Sequence, residues 1–247
     1  MRLQQQHSSL GISQALEEEI RKLEEEQKNK KGNRNSQIFR SDLTDAMFKV
    51  PSQESSFLTW SRFYISLYYN KLAVNMFGFL TGWSWYNRID GHLILGALPT
   101  PSQIKTLRRQ ENVDTVINLC AEFPGYKKLY KELDIQQIRL GIPDYSIPPV
   151  ESIQHIIQQI DDRKQQNPKS TIYLHCKAGR GRSAIIAVCY LLRTYKLDLM
   201  TCQKLILERR TQVDKDLCQT DQVRLFYKNI LSDIESGKLD RVSLINQ

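Results

Sequence analysis

A cysteine and an arginine stand at a spacing that suits chemistry on a phosphate group. Residues 172–183 read Ile-Tyr-Leu-His-Cys-Lys-Ala-Gly-Arg-Gly-Arg-Ser, so that five residues separate Cys176 from Arg182. Gly179 and Gly181 allow successive backbone N–H groups to point into one hollow. An arginine at a helix start adds a permanent charge and a planar fork that matches two phosphoryl oxygens. The pattern therefore predicts a cradle for a dianion.

Cys176 is expected to lie at the floor of this cradle. A helix N-terminus and nearby cations lower the pKa of a cysteine thiol from about 8.5 to roughly 3.5–7.5. The resulting thiolate could attack phosphorus and form a cysteinyl phosphate. We expect Ser183 to donate its hydroxyl to the thiolate. His175 is expected to support the loop and not to act as a base, because an ionised thiol needs none.

The remaining residues of the loop are expected to bind the anion. Lys177 and Arg180 add two cations, and the backbone of Ala178 completes the cradle. Two extra cations suit a multiply anionic headgroup, although simple attraction between charges would serve phosphopeptides as well. The chain lacks the Gly-Lys-Ser/Thr of an ATP-binding Walker loop. A chance cysteine beside a glycine turn would not explain Arg182.

Expelling an alkoxide from a phosphate ester also needs an acid. Asp144 is the best candidate, because it lies in a proline-rich loop, residues 141–149, between a predicted strand and a predicted helix. Catalytic groups often occupy loops that a rigid scaffold positions. Glu122, which follows another predicted strand, is the second candidate. A solvated loop carboxylate remains the alternative interpretation for either residue.

Alternating strand and helix patterns surround these residues. Isoleucines at 153, 156, 157 and 160 have helical spacing, and Asn167-Pro168 should end that helix. This alternation predicts an α/β fold with a central, mostly parallel sheet flanked by helices. The other predicted strands are residues 93–95, 115–119, 135–142 and 171–175, and the other predicted helices are 184–195, 201–210 and 221–235.

The 247 residues divide into three stretches of different composition. Residues 1–55 are polar, carry equal numbers of basic and acidic side chains, and suggest a partly helical or disordered extension. Residues 56–86 hold half of the aromatic side chains and suggest either a membrane-interfacial segment or an amphipathic helix packed on the next domain. Residues 87–247 form the predicted catalytic domain.

Charge and cysteine usage limit the possible partners. The net charge is +8, and residues 56–247 carry all of the excess, which favours anionic partners. Charge alone leaves nucleic acid, phosphorylated substrates and an acidic membrane surface open. Together with the phosphate cradle, it leads us to expect a phosphorylated lipid or phosphoprotein substrate and an anionic membrane surface, and no nucleic acid. Five irregularly spaced cysteines show neither a disulfide framework nor a zinc pattern. No metal and no organic cofactor are expected.

The chain resembles the cysteine-dependent, dual-specificity branch of the protein tyrosine phosphatases, and more narrowly the mitochondrial phosphatidylglycerophosphate phosphatases. The resemblance covers residues from about 85 to 227. The motifs that carry it are Trp85-Tyr-Asn-Arg-Ile-Asp90, Leu95-Gly-Ala-Leu-Pro99, Glu111-Asn-Val113, Ile138-Arg-Leu140 and His175-Cys-Lys-Ala-Gly-Arg180.

This resemblance implies a cysteine-dependent phosphatase fold and hydrolysis of phosphomonoesters, most narrowly of phosphatidylglycerophosphate. It implies Cys176 as nucleophile, Arg182 as phosphate clamp and Asp144 as general acid. It also implies a mitochondrial, membrane-associated location, although the targeting signal is weak and a cytoplasmic location is the alternative.

The departures from the family pattern leave the substrate open. Gly181 makes the loop equally similar to that of the phosphoinositide 3-phosphatases, and residues 121–124 and 142–143 differ from the subfamily. The alternatives are a dual-specificity protein phosphatase, a phosphoinositide phosphatase and a non-catalytic phosphate-binding module. Turnover of an aryl phosphate would separate an enzyme from a binding module.

Overall fold

The computed structural model describes residues 83–239, and strands and helices alternate through this range. The elements, in chain order, are β1 (Tyr86–Arg88), β2 (Leu93–Gly96), α1 (Pro101–Gln110), β3 (Val113–Cys120), α2 (Lys127–Glu132), β4 (Gln136–Ile142), α3 (Val150–Gln166), β5 (Thr171–His175), α4 (Arg182–Tyr195), α5 (Leu199–Arg209), a 3₁₀ turn (Leu217–Gln219) and α6 (Asp221–Glu235).

The strands form one sheet in the order β1-β2-β5-β3-β4. β5 lies between β2 and β3, and these strands and β4 are parallel, whereas β1 pairs antiparallel with β2 at the edge. The prediction of an α/β fold with a mostly parallel central sheet is confirmed. Because β3, β4 and β5 are parallel, the loops that follow them meet at the same edge of the sheet, where ligands of α/β proteins bind.

Both faces of the sheet are buried, as parallel sheets require. Alternate residues of one strand enter different cores: Ile172 and Leu174 pack among α3, α4 and α6, whereas Tyr173 packs with α1 and α2 on the other face. The isoleucine helix α3 ends at Gln166, one residue before the predicted Asn167-Pro168 stop. The apolar periodicity therefore located the core correctly.

Four elements were not predicted, namely β1, α1, α2 and the 3₁₀ turn. The clearest of them is α1, which begins with a capping box: the Thr100 hydroxyl accepts from the Gln103 N–H (3.3 Å), and Gln103 Oε1 accepts from the Thr100 N–H (2.8 Å). Pro101 follows at the first helical position, where its missing N–H does no harm. Thr100, Pro101 and Gln103 are therefore a local sequence signal for the start of this helix.

The predictions for residues 1–55 and 56–82 lie outside the described residues. The last four residues of the predicted aromatic segment, 83–86, do belong to the described part of the chain. Tyr86 begins β1, and the Ser84 N–H donates to Gln212 (3.0 Å). These four residues therefore contact the catalytic domain. None of the helices within residues 83–239 is both long enough and apolar enough to cross a membrane.

Candidate active site

The turn between β5 and α4, residues 176–181, is named the cysteine loop. It can follow its tight path only with glycine at 179, where φ is +68°. A Cβ atom at this position would lie 2.4 Å from the backbone oxygen of Gly96. The Leu98 N–H donates to the Lys177 carbonyl (3.1 Å). The end of β2 and the segment after it therefore hold the loop in place.

The Cys176 thiol lies at the floor of this loop and is 3% exposed. Its Sγ accepts hydrogen bonds from the Gly179 N–H (3.3 Å) and from the Ser183 hydroxyl (3.2 Å). Burial raises the pKa of the thiol, but the charge of Arg182 and these hydrogen bonds outweigh burial, so the pKa of Cys176 is lowered overall. These surroundings favour a thiolate, and the Ser183 hydroxyl is one of the groups that stabilise it.

Arg182 is the first residue of α4, and its side chain is 4% exposed. Its Nη1 donates to the Ile142 carbonyl (2.6 Å) and lies 3.4 Å from Glu122 Oε2. Its Nη2 donates to Asp144 Oδ1 (2.8 Å). The structure therefore brings the predicted clamp into contact with both candidate acids.

The two candidate acids also contact each other through the backbone. Glu122, after β3, accepts the Asp144 N–H at its Oε1 (2.7 Å). The Asp144 carboxylate accepts from Lys177 as well as from Arg182. Glu122 is therefore placed to fix the loop that carries Asp144, while Asp144 faces the cations of the site.

The two extra cations of the cysteine loop occupy different environments. Lys177 is buried, contacts Asp144, and has its ammonium 5.1 Å from the centre of the Tyr145 ring. Arg180 is 42% exposed at the rim, 4.0 Å from Asp214 Oδ1 and stacked at 5.3 Å over the Trp83 ring. Each cation therefore has a carboxylate beside it.

His175 is the last residue of β5 and lies directly before the cysteine loop. The ring is completely buried, and its Nδ1 lies 3.1 Å from the Cys176 carbonyl. Burial and the nearby Arg182 lower the pKa of His175 to about 4, although the hydrogen bond to Cys176 opposes the change. The ring is neutral at pH 7, and Nδ1 must carry the proton because a carbonyl oxygen only accepts.

Arg210 is a further buried residue of the site that the sequence does not predict. Its Nε donates to the Gly179 carbonyl (2.8 Å) and its Nη2 to the Ala178 carbonyl (3.2 Å). Its Nη1 donates to the Ser84 carbonyl (3.1 Å) and to Asn87 Oδ1 (2.7 Å). Burial lowers the pKa of Arg210 to about 10, so it stays charged at pH 7. It ties the cysteine loop to Ser84, before β1, and to Asn87, within β1, and nothing in its neighbouring residues signals this role.

A cavity of about 580 Å³ opens above the cysteine loop. Its walls come from the cysteine loop, from the start of α4, from residues 144–147 and from the segment after α5, where the lining residues are Asp214, Asp216, Leu217 and Thr220. Tyr145 is 92% exposed and Ile147 is 47% exposed at its edge. Gly181 lies in the wall, where a Cβ atom would come within 3.2 Å of Asp214 Oδ2. The cavity has room for a headgroup beyond the phosphate itself.

Within residues 83–239, no group of three or more His, Cys, Asp or Glu side chains is arranged to hold a metal ion. All five cysteines are free and buried. The reactive groups that line the cavity are one thiol, three basic side chains and the carboxylates beside them.

A buried thiol in a glycine loop at the start of a helix, beside an arginine, defines a cysteine-dependent phosphatase. The chain belongs to the dual specificity phosphatase catalytic domain family, whose sequence pattern matches residues 93–229. It is accordingly a phosphoric monoester hydrolase that works through a cysteine.

Individual proteins of this family show which of its members the chain is similar to. The chain is 33% identical over 152 residues to the human phosphatidylglycerophosphatase and protein-tyrosine phosphatase 1, which covers 59% of this chain and 75% of the relative. It is 28% identical to the crystal structure of PTPMT1, with a TM-score of 0.55 over 62% of this chain and 99% of that one. The crystal structure of PTPMT1 in complex with PI(5)P matches with 28% identity and a TM-score of 0.54 over 60% and 98%.

Proposed function

We propose that Cys176 is the nucleophile, Arg182 the phosphate clamp and Asp144 the general acid. The observation that carries this proposal is the Cys176 Sγ, which accepts hydrogen bonds from Gly179 and Ser183 inside the cysteine loop. The thiolate attacks phosphorus, the bond from phosphorus to the ester oxygen breaks, and Asp144 gives that oxygen a proton. Water then attacks the cysteinyl phosphate, gives its proton to Asp144 and releases inorganic phosphate and the thiolate.

This mechanism requires the Asp144 carboxylate to leave its contacts with Arg182 and Lys177. A phosphate dianion needs the Arg182 fork, which now donates to Asp144 Oδ1 at 2.8 Å. Substrate binding therefore displaces this carboxylate from the clamp towards the leaving group. Tyr145, next to Asp144, has a φ of +61°, a conformation that side-chain-bearing residues rarely adopt. The loop is thus held in its position by contacts that phosphate would replace.

The proposed substrate is a phospholipid headgroup, and phosphatidylglycerophosphate in particular. The similarity to the human phosphatidylglycerophosphatase and to PTPMT1 supports this proposal. The cavity of about 580 Å³ also exceeds the space that a phosphate needs, and Tyr145 and Ile147 present apolar surface at its edge. A phosphatidylinositol monophosphate is the second candidate, because the matched PTPMT1 structure holds PI(5)P.

A substrate panel tests this proposal. The full chain would be given phosphatidylglycerophosphate, phosphatidylinositol monophosphates, and phosphotyrosine, phosphoserine and phosphothreonine peptides at equal concentrations, with phosphate release as the measurement. We expect the highest kcat/KM on phosphatidylglycerophosphate. A higher value on any peptide would show that the substrate is a phosphoprotein, and a higher value on a phosphatidylinositol monophosphate would favour the second candidate.

The enzyme is further proposed to act at an anionic membrane surface, in the mitochondrion. The net charge of +8 and the aromatic composition of residues 56–86 support a contact with anionic lipid, worth about 1 kcal/mol for each basic residue near the surface. The mitochondrial location rests on the similarity to the phosphatidylglycerophosphatases.

A truncation that removes residues 1–82 tests the membrane contact and keeps the Ser84 contacts with Gln212 and Arg210. Binding to vesicles rich in anionic lipid should weaken, and hydrolysis of lipid in those vesicles should fall, while hydrolysis of a soluble aryl phosphate persists. Circular dichroism first establishes that the truncated chain is folded. Equal losses on both substrates by a folded truncation would refute the membrane contact.

A further inference from the structure

One wall of the catalytic cavity carries two carboxylates that the proposed mechanism does not use. Asp214 and Asp216 lie between α5 and the 3₁₀ turn, and both line the cavity. The Asp214 N–H donates to the Arg180 carbonyl (3.2 Å), and Asp216 Oδ1 accepts from Gln219 (3.1 Å). The first contact holds Asp214 beside the cysteine loop, and the second holds the Asp216 side chain against the 3₁₀ turn. Lys215, between them, is exposed and is not part of the cavity wall.

The charges that line the cavity balance each other. Six charged side chains line it, three of each sign: Lys177, Arg180, Arg182, Asp144, Asp214 and Asp216. The reacting phosphate occupies the Arg182 fork, and the cation that remains at the rim, Arg180, already lies 4.0 Å from Asp214. At the rim the cavity wall holds one cation, Arg180, and two carboxylates, Asp214 and Asp216, so a second phosphate meets no excess of positive charge there.

We propose that Asp214 and Asp216 select headgroups in which hydroxyl groups, and no second phosphomonoester, neighbour the reacting phosphate. A carboxylate accepts hydrogen bonds from the hydroxyls of glycerol or inositol. The same carboxylate repels a second phosphate dianion, and specificity is commonly built from such repulsion. This inference rests on the proposed function, because it refines which phosphate ester the same cavity accepts. It also revises the expectation that the loop cations suit a multiply anionic headgroup.

Competition against a soluble substrate tests the selection without any lipid. The full chain hydrolyses an aryl phosphate, and inhibition constants are measured for inositol 1-phosphate and inositol 1,4-bisphosphate. In the wild type we expect the bisphosphate to inhibit no better than the monophosphate. In the double variant Asp214→Asn/Asp216→Asn, the ratio of the bisphosphate to the monophosphate inhibition constant should fall about tenfold, which corresponds to about 1.4 kcal/mol.

A second double variant controls for the change in total charge. Glu132→Gln/Glu208→Gln removes two carboxylates from exposed positions outside the cavity wall, so the ratio should keep its wild-type value. The single variants Asp214→Asn and Asp216→Asn repeat the measurement should the double variant not fold. Each of these should lower the ratio, by less than the pair.

Three results would overturn the selection: an unchanged ratio in the Asp214/Asp216 variants, an equal change in the Glu132/Glu208 control, or no inhibition by the monophosphate. The proposed function would fail in a different measurement, namely if the wild type did not hydrolyse phosphatidylglycerophosphate. The two failures are therefore distinguishable.

Discussion

Replacing Arg210 with methionine would remove the hydrogen-bond donor of two carbonyls in the cysteine loop. The guanidinium lies 2.8 Å from the Gly179 oxygen and 3.2 Å from the Ala178 oxygen, and the whole side chain is buried. A buried acceptor that loses its donor costs about 1–3 kcal/mol, so the pair should cost about 4 kcal/mol of the free energy of unfolding. In a domain of this size each kcal/mol lowers Tm by about 2–4 °C, which predicts a loss of about 8–16 °C.

The same variant should change the chemistry of Cys176, because Arg210 holds the loop around the thiol and its positive charge also acts on Cys176. Gly179 supplies one of the hydrogen bonds that lower the pKa of Cys176, and Arg210 holds the Gly179 carbonyl. A loosened loop should therefore raise the pKa of Cys176 towards its ordinary value. The pH dependence of alkylation by iodoacetamide measures this pKa at temperatures where the variant is still folded.

Arg209 supplies the matched control, because it is the preceding residue of the chain and is exposed. Arg209→Met should change Tm by less than about 2 °C and leave the alkylation profile in place, since surface substitutions usually stay within about 0.5 kcal/mol. An Arg210→Met variant that behaves like Arg209→Met in both assays would refute the assignment. A lower Tm with an unchanged alkylation profile would show that Arg210 stabilises the fold without affecting the Cys176 thiol.

Three further predictions concern the proposed catalytic groups and their support. Cys176→Ser should abolish turnover while substrate still binds, and residual activity above about 1% would exclude covalent catalysis by this residue. Asp144→Asn should slow the hydrolysis of alkyl phosphates by about 10²–10⁴-fold and spare that of activated aryl phosphates. Equal losses on both substrates would instead favour Glu122 as the general acid. His175 should make the free energy of unfolding depend on pH. Its pKa is about 4 in the folded chain, below the ordinary 6.5, so as pH falls the unfolded chain takes up the proton before the folded chain does. About 3 kcal/mol should therefore be lost as pH falls from 6.5 to 4. Urea unfolding of His175→Asn should lack this loss, and an equal loss in the variant would contradict it.

The features that local sequence determined were predicted well. β5, the cysteine loop and α4 are consecutive in the chain, so one motif fixed the strand, the turn and the helix that hold Cys176 and Arg182. The isoleucine spacing of α3 located a core helix for the same reason, because helical periodicity is a property of neighbouring residues. Parallel pairing of the strands then followed from the alternation of strands with helices.

Features that depend on distant parts of the chain were not predictable in this way. Arg210 lies 31 residues from Gly179, 123 from Asn87 and 126 from Ser84, and no periodicity links these positions. The sequence offered Glu122 and Asp144 as rivals, whereas the fold joins them through a hydrogen bond between a carboxylate and a backbone N–H. Short elements were missed for another reason: α2 has six residues and no side-chain cap, so little local signal marks it.

Residues 83–87, at the end of the aromatic-rich stretch, contact the cysteine loop directly and through Arg210. Trp83 stacks on Arg180 at the cavity rim, while Ser84 and Asn87 accept hydrogen bonds from Arg210, which in turn donates to the cysteine loop. Residues 83–87 therefore lie beside the cavity. The same contacts explain why a truncation must keep Ser84, since a shorter chain would disturb the cysteine loop and confuse loss of membrane binding with loss of catalysis.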